Sequence, residues 1–243
     1  MRTPPRGFDL APQIQREQQE SAPRIEAAKT WDGSTGRRRG SSASGEVARE
    51  RILDAATTAF SELGYRGASL ATIATSIGIT QQGILYHFKS KPSVLQAVLD
   101  ERDQHGLQNW PTGADLVGTK ALDAWDAAVE RNAKNFGLVR LAHVLRAEAS
   151  GADHPAQGYY VDHFEIGMEL LLAGFQSGVE TGELRPDLDY ETIAHQVIAM
   201  SEGLESQWLA DPGGVDIVAC FRAYTKVLRQ QIRRDVVVGR APA

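Results

Sequence analysis

The sequence predicts an all-α protein, and three observations carry that prediction. Apolar residues recur at intervals of three and four from residue 46 to about residue 230. No segment of any length alternates apolar and polar residues as a half-buried strand would. Helix boundaries are marked by capping residues at the starts and by glycine or proline at the stops.

The first helix is expected over residues 46–63, where Ile52, Ala56, Ala59, Phe60 and Leu63 share one face and Gly64 ends the run. Ser69 is an N-cap residue for a short helix carrying Ile73, Ala74 and Ile77, which stops at Gly78, the residue type suited to a left-handed turn. Thr80 caps the next short helix, and Ile79 and Ile84 are placed to form a hydrophobic staple that fixes its entry angle. Ser90 caps a further helix, with Lys91 and Pro92 in a first turn where a missing amide hydrogen does no harm. Two short capped helices around a tight turn define a helix-turn-helix, a geometry that also occurs in proteins that never touch DNA.

Beyond Leu99 the chain passes a break at Trp110-Pro-Thr-Gly113 into longer helical segments. Phe164, Met168, Leu171, Phe175 and Val179 form one stripe, ended by Gly182 and Pro186. Ile193, Val197, Met200, Leu204 and Trp208 form a second, closed by Asp211-Pro-Gly-Gly214, and Ile217, Phe221, Tyr224 and Leu228 form a third. Long antiparallel helices with broad apolar faces suit a two-fold interface, in which one patch complements its own copy.

The chain has 243 residues, 42% of them hydrophobic, with a net charge of −5 and a pI near 5.7. A protein that coats DNA indiscriminately would be basic throughout. The acid is unevenly spread: residues 1–45 hold eight Lys/Arg against five Asp/Glu, residues 46–103 six against seven, and residues 104–243 twelve against nineteen. A specific binder needs only a local cationic rim, and an acidic body suppresses unspecific binding to phosphate. No apolar run is long enough for a membrane span, and no apolar segment follows the N-terminal Arg2 and Arg6 as a secretory signal would require, so a cytoplasmic protein without membrane contact is expected. Cys220 is the single cysteine, which excludes an intramolecular disulfide and a cysteine metal cluster; beside Phe221 it is expected in the core.

Four segments follow: a disordered basic arm at 1–45 containing Arg37-Arg38-Arg39, a candidate DNA-binding domain at 46–103, a helical domain suited to dimerisation at 104–233, and a flexible tail at 234–243. The arm either follows the DNA backbone or minor groove, or is a solvated tail. Thr80, Gln81, Gln82 and Tyr86 are placed to face a major groove, since the second helix of such a unit presents its N-terminal turn to base edges. A glutamine amide pairs with adenine through two hydrogen bonds, worth about 1–3 kcal/mol of discrimination. Gly83 lets backbone approach closely, while Ser69, Thr72, His87, Lys89 and Lys91 suit phosphate. His87 also has a simple packing role open to it, and Ser69 and Ser90 have capping roles.

These residues resemble the N-terminal domain of TetR-family transcriptional regulators. The likeness rests on the Ala-Phe-x-Glu-x-Gly-Tyr run at 59–65, Ile73-Ala74, Gly78-Ile79-Thr80, and His87-Phe88-Lys89-Ser90-Lys91. One departure is clear: the tyrosine usual in the family's recognition helix falls on Leu85, with Tyr86 in the next, variable position. The resemblance continues through Arg146-Ala-Glu-Ala149, Asp153-His-Pro155, the 182–188 run and the 203–212 run. It implies a homodimer on a palindromic double-stranded DNA operator, paired through its last two long helices, with an effector pocket among the central helices. It further implies a repressor released by a small molecule of unknown identity. Trp125, Phe136, His143, Phe164, Met168 and Trp208 are the candidate pocket residues, because such a site is mainly apolar with a few polar anchors. Aromatic residues at helical spacing are core far more often than ligand contacts, so only two or three of the six are expected to touch ligand.

An activator, or a regulator controlled by a protein partner through the acidic C-terminal surface, is the alternative. Catalysis is not expected: His143, His154, His163 and His195 lie among carboxylates without triad or metal-ligand spacing, and no phosphate-cradling loop or serine elbow occurs. No catalytic residue, metal or cofactor is expected.

Overall fold

The computed structural model describes residues 43–107, 116–151 and 153–234, with side chains described at slightly fewer positions near the segment ends. The Arg37-Arg38-Arg39 arm, the Trp110–Gly113 break and residues 235–243 lie outside the described residues. The chain is all-α, as expected. Nine helices are present among the described residues: α1 (Ala43–Gly67), α2 (Leu70–Ser76), α3 (Gln81–His87), α4 (Lys91–Leu107), α5 (Lys120–Asn132), α6 (Phe136–Ala149), α7 (Gln157–Glu180), α8 (Tyr190–Ala210) and α9 (Ile217–Ile232).

Helix α1 starts at Ala43 rather than at Glu46, so residues 43–45 belong to it and not to the arm. Glu46 then sits in its first turn, where a carboxylate complements the helix dipole. Ile52, Ala56 and Phe60 are buried as expected. Leu63 is not: it is 51% exposed, because the next position four residues after Phe60 is Gly64, and Gly64 takes the inward place. Gly64 also bends the helix instead of ending it. Its φ of 71° and ψ of 171° interrupt the helix, which resumes for one further turn to Gly67.

The caps form as the sequence requires. Ser69 Oγ accepts from the Thr72 amide at 3.0 Å, Thr80 Oγ1 from the Gly83 amide at 3.1 Å, and Ser90 Oγ from the Ser93 amide at 3.3 Å. Gly78, with φ 70°, makes the turn between α2 and α3. Ile73, Ala74 and Ile84 enter a core with Ile52, Phe60, Val94 and Leu95, and Ile79 packs against it. This core does not stop at α1–α4, the helix-turn-helix head: Leu141, Leu145 and Ala149 of α6 and Tyr160 of α7 belong to the same cluster.

A second core joins α5, α7, α8 and α9 through Leu122, Leu171, Phe175, Val197, Phe221 and Leu228. Arg229 of α9 ties down α5 by donating to Asp123 and Asp126 at 2.7 and 2.6 Å. Cys220 is exposed, contrary to the expectation of a core thiol. Phe221 is fully buried, and a one-residue step around a helix turns the neighbouring side chain by about 100°. No described helix is long and apolar enough to cross a membrane.

Candidate nucleic-acid interface and regulatory interior

Helix α3 has only seven residues, and its two ends are held by different means. Thr80 secures the start; Ile84 pins the middle into the core; the Phe88 amide closes the end on the Ile84 carbonyl at 2.8 Å. Anchoring one face leaves the other to solvent. Gln81 and Gln82 are exposed in the first turn, and Tyr86 is 86% exposed, its ring edge-on to His87 at 5.1 Å. Leu85, at the family's usual tyrosine position, is half-buried and carries no polar atom in its side chain.

Gly83 sits where a side chain would meet nothing closer than Thr80 Oγ1 at 3.6 Å, an ordinary contact. Packing therefore does not demand glycine there. Ser69 and Thr72 are exposed and share a hydroxyl hydrogen bond of 2.7 Å at the start of α2. Lys89 is exposed and His87 half-buried. Lys91 is half-buried with its ammonium 4.2 Å over the Tyr65 ring, and burial holds its pKa below the ordinary lysine value.

Two arginines of α1 complete this region without any signal in the motif. Arg49 stands over the Phe88 ring at 4.5 Å and, with His87, Lys89, Pro92 and Ser93, lines an open cleft of about 510 Å³. Arg51 Nη2 donates to the Ile77 carbonyl at 3.2 Å, tying α1 to the end of α2.

The reading head is joined to the helices behind it at two places. The Glu148 carboxylate of α6 accepts from the Tyr65 and Arg66 amides at 2.6 and 3.3 Å, capping the turn that restarts after Gly64. A side chain on Gly64 would collide with this carboxylate. His154 lies beneath it, with its side chain 1% exposed, Nε2 3.6 Å from Glu148 and Nδ1 accepting from the Ala156 amide. Burial, only partly opposed by Glu148, lowers the His154 pKa. At the second place Arg102 of α4 donates to the Tyr159 hydroxyl at 2.9 Å, which donates to Asp103 at 2.6 Å. His163 stacks on Tyr159, and burial together with Arg102 and Arg146 holds its pKa down to about 3.

The six pocket candidates divide. Phe136 and Trp208 meet edge to face at 5.1 Å, His143 Nε2 lies 3.1 Å from Glu205, and the Trp125 indole donates to Ser201 at 3.2 Å. Met168 is buried in the second core. Phe164 stands apart, 41% exposed and against His195. Asn132, Ser201 and Glu205 were missed by the sequence reading, and Asn132 donates to Glu205 at 2.6 Å. Their one signal is on α8, where Ser201 and Glu205 interrupt the apolar stripe of Val197, Leu204 and Trp208.

A short capped helix with one face buried and the other exposed, set by a tight turn against α2, defines a helix-turn-helix protein. The family model "Bacterial regulatory proteins, tetR family" matches residues 52–98. The HTH-type transcriptional regulator SrpR of Pseudomonas putida is 30% identical over 163 residues, covering 63% of this chain and 71% of that protein. The A-factor receptor protein of Streptomyces griseus is 27% identical over 174 residues, covering 68% of this chain but only 56% of that protein. The crystal structure of NalD, the secondary repressor of the MexAB-OprM multidrug efflux pump in Pseudomonas aeruginosa, superposes with a TM-score of 0.63 at 21% identity, over 80% of this chain and all of that one. The chain belongs to the TetR family of transcriptional regulators, a family of regulators and not of enzymes.

Proposed function

We propose that this protein is a cytoplasmic repressor that binds a palindromic operator as a homodimer and is released from it by a small molecule. The observation that carries the reading is α3: its start and buried face are fixed by Thr80 and Ile84, while Gln81, Gln82 and Tyr86 project from the side left open. In this reading Thr80, Gln81, Gln82 and Tyr86 meet base edges, and Ser69, Thr72, His87, Lys89 and Lys91, joined by Arg49, meet phosphate. The DNA-binding domain spans residues 46–103 and the regulatory domain residues 104–233. Regulators of this family bind operators as dimers and respond to small ligands. The shallow groove of Gln196, Ala199, Met200, Gly203, Gln207 and Tyr224 on α8 and α9 is the face assigned to the second subunit.

Repression is supported by a structural neighbour that is a repressor of an efflux pump, and response to a small molecule by a relative that is the A-factor receptor protein. The side chains of Trp125, Phe136, His143, Met168 and Trp208, with Asn132, Ser201 and Glu205, are the proposed ligand environment.

The test is fluorescence anisotropy of the full chain on duplexes from the DNA flanking its own gene, against scrambled duplexes, across a salt series. Tight binding to one palindrome, lost in the Gln81→Ala/Gln82→Ala double mutant, supports the reading. Equal, weak and strongly salt-dependent binding to every duplex, repeated in a genome-wide binding selection, overturns it.

A further inference from the structure

Glu205 lies inside the regulatory bundle, where α5, α6 and α8 converge. Its carboxylate is held by the Asn132 amide at 2.6 Å and by His143 Nε2 at 3.1 Å. Neither donor is a permanent cation. No Lys or Arg nitrogen of the described residues lies within 4.0 Å of it. Arg146, a cation on the same helix as His143, is occupied by Glu202 at 2.5 Å and lies over the Tyr160 ring. A carboxylate so placed has two hydrogen-bond partners and no permanent counter-charge.

The surroundings are aromatic and not sealed. Trp208, one turn beyond Glu205, meets Phe136 edge to face, and Phe136 is 38% exposed. The side chains of His143 and Glu205 retain 21% and 11% of their accessible surface, so solvent reaches the pair. A largely buried carboxylate with residual solvent access, one helical turn from an indole that meets a phenyl ring, offers a counter-charge and π faces together, which is the chemistry that recognises an organic cation.

Building on the ligand-relieved reading, we propose that this niche binds a cationic amphiphile, an amine or quaternary ammonium on an apolar body, with Glu205 as its counter-charge. The ammonium replaces solvent at the carboxylate, and the apolar body lies against Phe136 and Trp208. A neutral ligand of the same shape displaces solvent from the carboxylate without bringing a counter-charge, and an anionic one is repelled.

Three probes of matched skeleton test this: 4-phenylbutylamine, 4-phenylbutanol and 4-phenylbutyrate, titrated into the full chain and followed by tryptophan fluorescence and by anisotropy of the operator complex. The amine is expected to bind at least about tenfold more tightly than the alcohol, and the carboxylate most weakly. In Glu205→Gln that amine preference is expected to vanish. In Phe136→Leu amine binding weakens while the preference for charge persists. The wild-type ratio alone decides the charge assignment should Glu205→Gln fail to fold. Equal or tighter binding of the alcohol, or no binding of any probe, overturns the proposal. Operator release by the alcohol or carboxylate and not by the amine overturns the charge assignment and leaves the ligand-relieved reading standing. Amine binding at Glu205 without any effect on operator overturns the ligand-relieved reading and leaves the site.

Discussion

Glu148 and Tyr65, 83 residues apart in the chain, are joined by a 2.6 Å hydrogen bond from the Tyr65 amide to the Glu148 carboxylate. The bond caps the turn that α1 resumes after its break at Gly64, so a side chain of the regulatory helices finishes a helix of the reading head. Lys91, at the start of α4, sits over the same Tyr65 ring. The orientation of the head therefore depends on where α6 stands, and any displacement of α6 has a direct route to it.

Removing this cap has a defined cost. Glu148→Ala leaves two backbone amides without their acceptor, an expected loss of about 1–3 kcal/mol. For a chain of this size that lowers the melting temperature by about 2–4 °C for each kcal/mol. Differential scanning calorimetry measures it, and an unchanged melting temperature would show the bond to be dispensable. Glu148→Gln, which keeps an acceptor oxygen, should recover part of the loss.

Acid should destabilise the protein through His154 and His163. Both have folded pKa values below 6.5, the His163 value about 3, so the unfolded chain binds more protons than the folded one. Stability is thus complete above pH about 7 and falls as pH drops through 6.5 toward the folded values, by at most about 1.4 kcal/mol per pH unit for each histidine. Asp103, 3.6 Å from His163, does not reverse the sign, because burial with Arg102 and Arg146 outweighs it. Melting curves from pH 8 to pH 5 check this, and His163→Gln should flatten the decline. A decline just as steep in the variant would remove His163 as its cause.

Gly83→Ala separates stability from recognition. An alanine Cβ fits, and alanine in a helix is favoured over glycine by up to about 1 kcal/mol, so the melting temperature should rise. Operator affinity should fall if α3 enters the groove as proposed, because the added methyl stands on that helix. A rise in both would mean that α3 backbone does not approach DNA at this point.

Lys89→Ala and Gln81→Ala should fail differently. Loss of a phosphate contact weakens binding to all duplexes alike and reduces the slope of log K against log salt by about 0.9. Loss of a base contact costs about 1–3 kcal/mol at one base pair and leaves the salt slope unchanged. Anisotropy on a set of single-base operator variants at several salt concentrations distinguishes the two. Identical profiles for both variants would contradict the division between α3 and Lys89, two residues beyond its end.

The reading head was legible in the sequence because its determinants are local. Ser69, Thr80 and Ser90 each cap an amide three residues on, and Gly78 makes its turn from its own backbone angles. Periodicity identified the buried sides of α1, α7, α8 and α9 for the same reason. It failed at Leu63, Phe164, Met200 and Cys220, where a bend or the rotation of a helix against its neighbours decides between core and solvent.

The chain by itself determined the fold class, the order of its principal helices and the family, since capping, turn chemistry and apolar spacing act over three or four residues. The tertiary structure decided which distant groups meet: Glu148 with Tyr65, Asn132 and His143 with Glu205, Arg49 with Phe88. These contacts span 39 residues or more in sequence, and the polar pairs among them depend on distances of about 3 Å. No local pattern records such a distance; it arises only when helices pack side against side and their side chains compete for the same interior space.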